Sequence, residues 1–314
     1  MIDTYYTLIR REFWERRGTF LVLPLVMMAG FISLMLLMFL LFGLVGIETS
    51  IDVSDSDEHG SREWHYESDQ ASLQELLSHL VTQLDHMPTS ERMQAIRGGL
   101  FGIGAPFQVV LWLVVFFYML GALYDDRKDR SILFWKSMPV SDRDTVLAKL
   151  LAGGVIVPLV YAACAMGTQL AVLSIGSLFV VGEGLPLWEA VWEPARLLYA
   201  WGEMFILSIS QLAWGLPFYG WLLLVSATAR NVPLAWAVGL PIGVAFVEGI
   251  VRFDQTSIVP WFWSHWGSLY MMRLDENWRG LPEHLFSQST LTGVVLGIAM
   301  LVAAIWRRGK ADEI

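Results

Sequence analysis

Charge is missing from six long stretches of this chain and crowded between them. The uncharged runs are 18–47, 98–124, 150–182, 204–229, 231–247 and 285–306. A bilayer-spanning helix needs about 20 apolar residues, so the pattern predicts six transmembrane helices. They are expected near 19–46, 100–123, 147–179, 203–227, 232–251 and 289–306. Periodicity decides nothing inside such runs, because a lipid-facing helix is apolar all round. Only Ala229, Arg230 and Asn231 separate the fourth and fifth spans, which predicts a tight helical hairpin. The third run contains Pro158 and is long enough to tilt or kink. The first run is too long for a signal-peptide core, and no small-x-small site follows it, so it is expected to persist as the first helix.

Composition agrees with the pattern. Hydrophobic residues make up 55% of the 314 positions and charged residues 16%, with a mean hydropathy of +0.51. Soluble domains carry about 25% charged residues. The expected fold class is therefore an all-α integral membrane protein. The single cysteine, Cys164, excludes a disulfide scaffold, and a net charge of −9 argues against a nucleic-acid binder.

Lysine and arginine orient the chain. With the N-terminus inside, the inner pieces 1–17, 124–149, 228–232 and 307–314 hold fourteen basic residues, and the longer outer pieces hold seven. Both termini are expected to be cytoplasmic. The segment 48–99 alone contains eleven carboxylates against Arg62, Arg92 and Arg97, so nearly all the net charge belongs to one external loop.

Residues 1–17 place Ile2, Tyr5, Tyr6, Ile9 and Phe13 at helical spacing among Arg10, Arg11, Arg16 and Arg17. That pattern predicts an amphipathic helix at the inner membrane surface, basic groups toward anionic headgroups. The plainer alternative is a positive flank that sets topology. The domain organisation expected is this interfacial helix followed by a six-helix transmembrane domain over 18–314.

The inner segment 124–149 is the most informative. A charged stretch leaves the second span, an apolar patch covers 132–135, and Pro139 breaks any helix built before it. Ser141-x-x-Asp144 has the form of a capping box for the next helix. Phe134, Trp135 and Met138 on a cytoplasmic loop call for a partner. The plainer reading is an ordinary basic inner loop.

On these residues the chain resembles the permease subunit of ABC-2 type ABC transporters. In that family an interfacial helix precedes six spans, and a coupling helix between the second and third is followed by a Pro-x-Ser element and a lysine. The matching residues are Asp129, Arg130, Ser131 and Ile132, then Ser137, Met138, Pro139, Val140 and Ser141, with Lys149 beyond them. Where the family more often opens with Glu-x-x-x-Gly-Thr, this chain has an Asp/Arg/Lys-rich stretch over 125–131. The resemblance implies docking of a coupling helix (Asp129, Arg130, Ile132, Phe134, Trp135, Lys136, Met138, Pro139, Ser141) on a separate ATPase. The partners it implies are two ATPase subunits carrying ATP and Mg, a second permease subunit, and membrane lipid. The chain would sit in a bacterial-type cytoplasmic membrane and export its substrate. It has no GxxxxGK[ST] phosphate loop, so no ATP site and no enzyme activity of its own is expected.

In the external loop, Leu73, Leu76, Leu77, Leu80, Leu84 and Met87 predict an amphipathic helix over 72–87, with Ser72 and Glu75 as its cap. All six histidines lie in the outer pieces: His59, His65, His79, His86, His265 and His284. Histidine and carboxylate together suit zinc, but no pair has i,i+4 spacing, so no metal site is assigned. Aromatics crowd 252–284, which reads as a re-entrant pair of helices or an aromatic belt. Glu203, Glu248 and Arg252 are the ionisable groups at or near membrane depth. Glu248 and Arg252 have the spacing of a helical ion pair. Gln108, Gln169 and Gln211 either line an interior path or bond between helices. Two rival functions remain: a structural or signalling membrane protein acting through the acidic loop, and an intramembrane enzyme. The enzyme is disfavoured because HExxH, a supported GxSxG and a paired intramembrane Asp are all missing.

Overall fold

The computed structural model describes residues 2–44, 87–130, 140–182, 186–251, 261–262, 264–265, 283 and 285–310. Every described regular element is a helix, and no strand occurs among the described residues. In chain order they are α1 (Ile2–Glu15), α2 (Leu23–Leu44), α3 (Thr89–Ala122), α4 (Tyr124–Lys128), α5 (Asp142–Leu151), α6 (Val157–Gly182), α7 (Glu193–Ala195), α8 (Leu197–Trp214), α9 (Leu216–Thr228), α10 (Pro233–Val251) and α11 (Gln288–Gly309). Single π-helical turns at Gly18–Val22 and Ala152–Ile156 lead into α2 and α6, and a third lies at Trp188–Trp192.

Among the described residues, five helical stretches are long and apolar enough to cross a bilayer. A sixth crossing follows if Trp188–Trp214 and Leu216–Thr228, bent by 54°, form one broken span. The chain is a multi-pass membrane protein. Three spans differ from expectation. The second begins at Thr89, eleven residues early, because Glu91, Arg92 and Arg97 continue the helix instead of ending it. Its 34 residues measure about 51 Å, well beyond a hydrocarbon core of about 30 Å, so the charged turns need no burial. The third helix likewise begins at Asp142 and carries its charged first turns outside the apolar window. The fourth is interrupted at Gly215, because Pro217 cannot donate a backbone hydrogen bond into the preceding turn.

The tight hairpin is present. α9 ends at Thr228 and α10 opens with Pro233 at its first position. Trp221 on α9 donates its indole N–H to the Ala237 carbonyl of α10, 3.1 Å away.

The chain divides into two compact units. One comprises Met1–Leu25, Gly104–Ala165 and Trp201–Ile314. Its tightest crossing is α9 against α11. A Cβ on Gly297 would stand 2.6 Å from the Leu216 carbonyl carbon, and one on Gly220 would stand 2.7 Å from the Gly297 carbonyl oxygen. Only glycine lets these backbones approach so closely. The other unit comprises Val26–Ile103 and Met166–Ala200. Its buried core includes Leu100, Leu173 and Ala195. There Gln169 donates to the Leu100 carbonyl at 2.9 Å, and Trp192 donates to the Ser177 hydroxyl at 3.1 Å.

Candidate functional site

Two lines of residues run along α1 and continue just beyond its end. Tyr5, Leu8, Glu12 and Arg16, at steps of three and four, form the line that faces the protein. Leu8 and Glu12 are buried, and Arg16 pairs with Asp125 at 2.6 Å. Tyr5 donates to the Asp144 carboxylate. That bond, chiefly, raises the pKa of the Tyr5 hydroxyl above its usual value. The helix exists as the sequence predicts, but its buried line is not its apolar line. Tyr6, expected on the apolar face, is 65% exposed. The docked line combines apolar Leu8 and Tyr5 with the charges of Glu12 and Arg16.

Glu12 begins a buried network of charges. Lys149 on α5, 4% exposed, lies 2.9 Å from the Glu12 carboxylate and 3.5 Å from that of Asp126 on α4. Asp126 also accepts from Arg308 near the end of α11, at 3.1 Å. Arg308 reaches Asp142, the first residue of α5, at 3.1 Å with its Nε. Tyr118 on α3 donates to the second Glu12 oxygen at 3.0 Å. Arg127 is buried beside this chain of pairs. It donates to the carbonyls of Ser226 and Ala229 at 2.8 and 2.7 Å, where the C-terminal end of the α9 dipole favours a cation. The Ser226 hydroxyl in turn accepts from the backbone N–H groups of Leu123 and Tyr124, both at 2.9 Å, where α3 gives way to α4.

Three carboxylates (Glu12, Asp126, Asp142) therefore pair with two cations (Lys149, Arg308), and Arg127 is held beside them by backbone carbonyls. Such a cluster gains little net stability, because desolvation opposes the attraction. Removing one member is costly, since it leaves a buried charge without its counterion. Chemically the arrangement joins elements. It fastens α1, α3–α4, α5, α9 and α11 at one end of the same compact unit. No group of three or more His, Cys, Asp or Glu able to hold a metal occurs among the described residues.

The network brackets the segment expected to dock a partner. Asp126 and Arg127 precede residues 131–139, and Ser141, Asp142 and Lys149 follow them. Of the expected docking residues, Ile132, Phe134, Trp135, Lys136, Met138 and Pro139 lie outside the described residues. Asp129 and Arg130 form the turn that ends α4, with Arg130 at a left-handed φ of 58°. Ser141 is the N-cap of α5: its side chain accepts from the Asp144 N–H at 3.1 Å, as the capping-box spacing requires. Lys149, the lysine expected to follow the docking segment, is a member of the network.

The remaining expected residues scatter. Arg10 and Arg17 are exposed, Arg11 pairs with Glu15 at 3.3 Å, and Phe13 packs against Trp14 and Phe20. Gln108 and Gln211 line one small cavity with Trp112, Pro158, Phe218 and Tyr219. At about 30 Å³ it is far below the several hundred Å³ of an organic ligand site. Gln169 lies in the other unit, where it bonds between helices. Glu203 is half-buried in the second turn of α8, not at its start, because that helix begins six residues early at Leu197. Glu248 is half-buried on α10, and Arg252, its expected partner, lies outside the described residues. So do the acidic stretch 48–86 with the helix expected at 72–87, most of 252–284, and every histidine except His265. His265 is no loop histidine in solvent. It is fully buried, stacked on Trp214 at 4.2 Å, and bonded through Nδ1 to the Trp261 carbonyl at 2.8 Å.

Glu12, Asp126, Arg127, Asp142 and Arg308 are the residues that the sequence reading missed. A signal existed for two of them. Glu12 continues the line Tyr5–Leu8, and Arg308 ends the buried line Gly293, Gly297, Leu301, Ala304 on α11. A charge that extends a buried line at helical spacing marks a buried charge. No family model matches this chain, nor does any curated protein or solved structure.

Proposed function

We propose that this chain is the permease subunit of an ABC-2 type transporter, driven by separate ATPase subunits that dock on 131–139. The single observation that supports this reading most is the buried network on either side of that segment. A push on a loop is lost if the loop bends freely. Here Asp126 before the segment and Lys149 after it are 3.5 Å apart, with Lys149 paired to Glu12 on α1 and Asp126 to Arg308 on α11. Displacement of 131–139 would be carried into α3, α5–α6 and α11 together. Six possible crossings and a phosphate loop missing from the sequence fit a subunit that supplies the path and borrows the energy. In this reading both termini are cytoplasmic, a second permease subunit completes the path, and the direction is export.

The test is co-purification with ABC-type ATPase subunits co-expressed with this chain. Phe134→Asp, Trp135→Asp and Met138→Asp together are expected to abolish the complex while leaving the permease folded in detergent. Survival of the complex in that triple variant would refute the docking assignment.

A further inference from the structure

The outward line of α1, continued to Arg17, has no role in the network. It consists of Tyr6, Arg10, Trp14 and Arg17, at steps of four, four and three, so the four side chains share one face. Tyr6 is 65% and Trp14 52% exposed, and both arginines are exposed. Nothing about helix folding calls for this face, because the opposite line already docks α1. At the same end of the unit, α11 turns Arg308 inward and leaves Trp306 60% exposed, with the Lys310 ammonium 4.1 Å from its ring centroid. Aromatic rings with cations beside them thus recur on two separate elements that the network holds together.

We propose that this stripe is a binding surface for anionic phospholipid headgroups. Three arguments select that partner. Indole and phenol rings settle at the headgroup level, where one edge is apolar and the other wet. Arginine holds phosphate through two parallel N–H donors, which a lysine cannot match. Arg10 and Arg17 are about 10 Å apart along the helix, with Trp14 between them, so each can take its own headgroup. Charge complementarity favours an anionic over a zwitterionic lipid, since the exposed charges from Tyr6 to Arg17 on this line are both cations. The surface differs from the sequence expectation in its members. Arg16 and Tyr5 are committed to the protein, and the lipid contacts fall to Tyr6, Arg10, Trp14 and Arg17. This proposal rests on membrane residence alone and stands or falls apart from the transporter reading.

The experiment uses the full-length chain in neutral detergent, titrated with short-chain phosphatidylglycerol or phosphatidylcholine and followed by native mass spectrometry. Two basic residues at an anionic surface give a preference of roughly 30-fold for the anionic lipid. Arg10→Gln with Arg17→Gln is expected to bring that preference to within a few-fold. Arg143→Gln, which removes an exposed cation off the stripe, is expected to leave it unchanged. All three proteins should share one thermal midpoint, since the altered groups are exposed. Retention of the preference in the double variant, or an equal loss in Arg143→Gln, would overturn the proposal.

Discussion

The two ends of α11 are held in opposite ways. At its start, Ser287 caps the helix by accepting from the Thr290 N–H at 3.3 Å. Trp261 donates to the Ser289 hydroxyl at 2.7 Å, and His265, stacked on Trp214, lies against Gly293. At its finish, Arg308 is buried between Asp126 and Asp142. The first end is fixed by packing and single hydrogen bonds, which fail gradually. The second is fixed by charges out of water, which fail all at once when one is removed. Under the proposed function a helix that transmits a movement needs one end clamped, and the clamped end is the one paired with Asp126 and Asp142, which flank 131–139 in sequence.

That contrast can be broken at either end. The largest effect is expected from Lys149→Met, which takes the buried counterion from Glu12 and leaves Asp126 with Arg308 alone. A loss of about 3–5 kcal/mol in unfolding free energy is expected, measured by denaturant titration in mixed micelles. Gly297→Leu attacks the middle of the same helix, where a side chain would meet the Leu216–Pro217 backbone. Overpacking of this kind costs about 1–3 kcal/mol, and the same titration reads it. At the neutral end, Ser287→Ala removes a cap worth about 1 kcal/mol. Trp261→Phe removes one hydrogen bond between side chains, which in membrane proteins averages about 0.6 kcal/mol. If the two neutral-end variants cost as much as Lys149→Met, the contrast between the ends is wrong.

The helices were legible because their signal is long and redundant. Any apolar run of about 20 residues carries it, and one charge more or less does not erase it. Their ends were less legible. Glu91, Arg92 and Arg97 read as loop residues, yet a helix is free to continue into water and keep them. The break at Gly215 was missed because glycine and proline occur throughout these spans, and only packing decides which of them bends. The capping serine at 141 was legible because its partner lies three residues away. The network was not, because most of its pairs join residues more than a hundred positions apart, such as Glu12 with Lys149 or Asp126 with Arg308. In sequence each of these looks like one more charge flanking a span. Only Lys149 was flagged, through the family resemblance and not through its own surroundings.

The central claim is that the two flanks of 131–139 are locked to α1 and α11 by pairwise coupling of buried charges. A double-mutant cycle on Glu12→Gln and Lys149→Met tests it most directly, with unfolding free energy as the readout. The account predicts that the double variant is less destabilised than the sum of the singles, by at least about 1.5 kcal/mol. Additivity within about 0.5 kcal/mol would mean that the two charges act independently, and would contradict it.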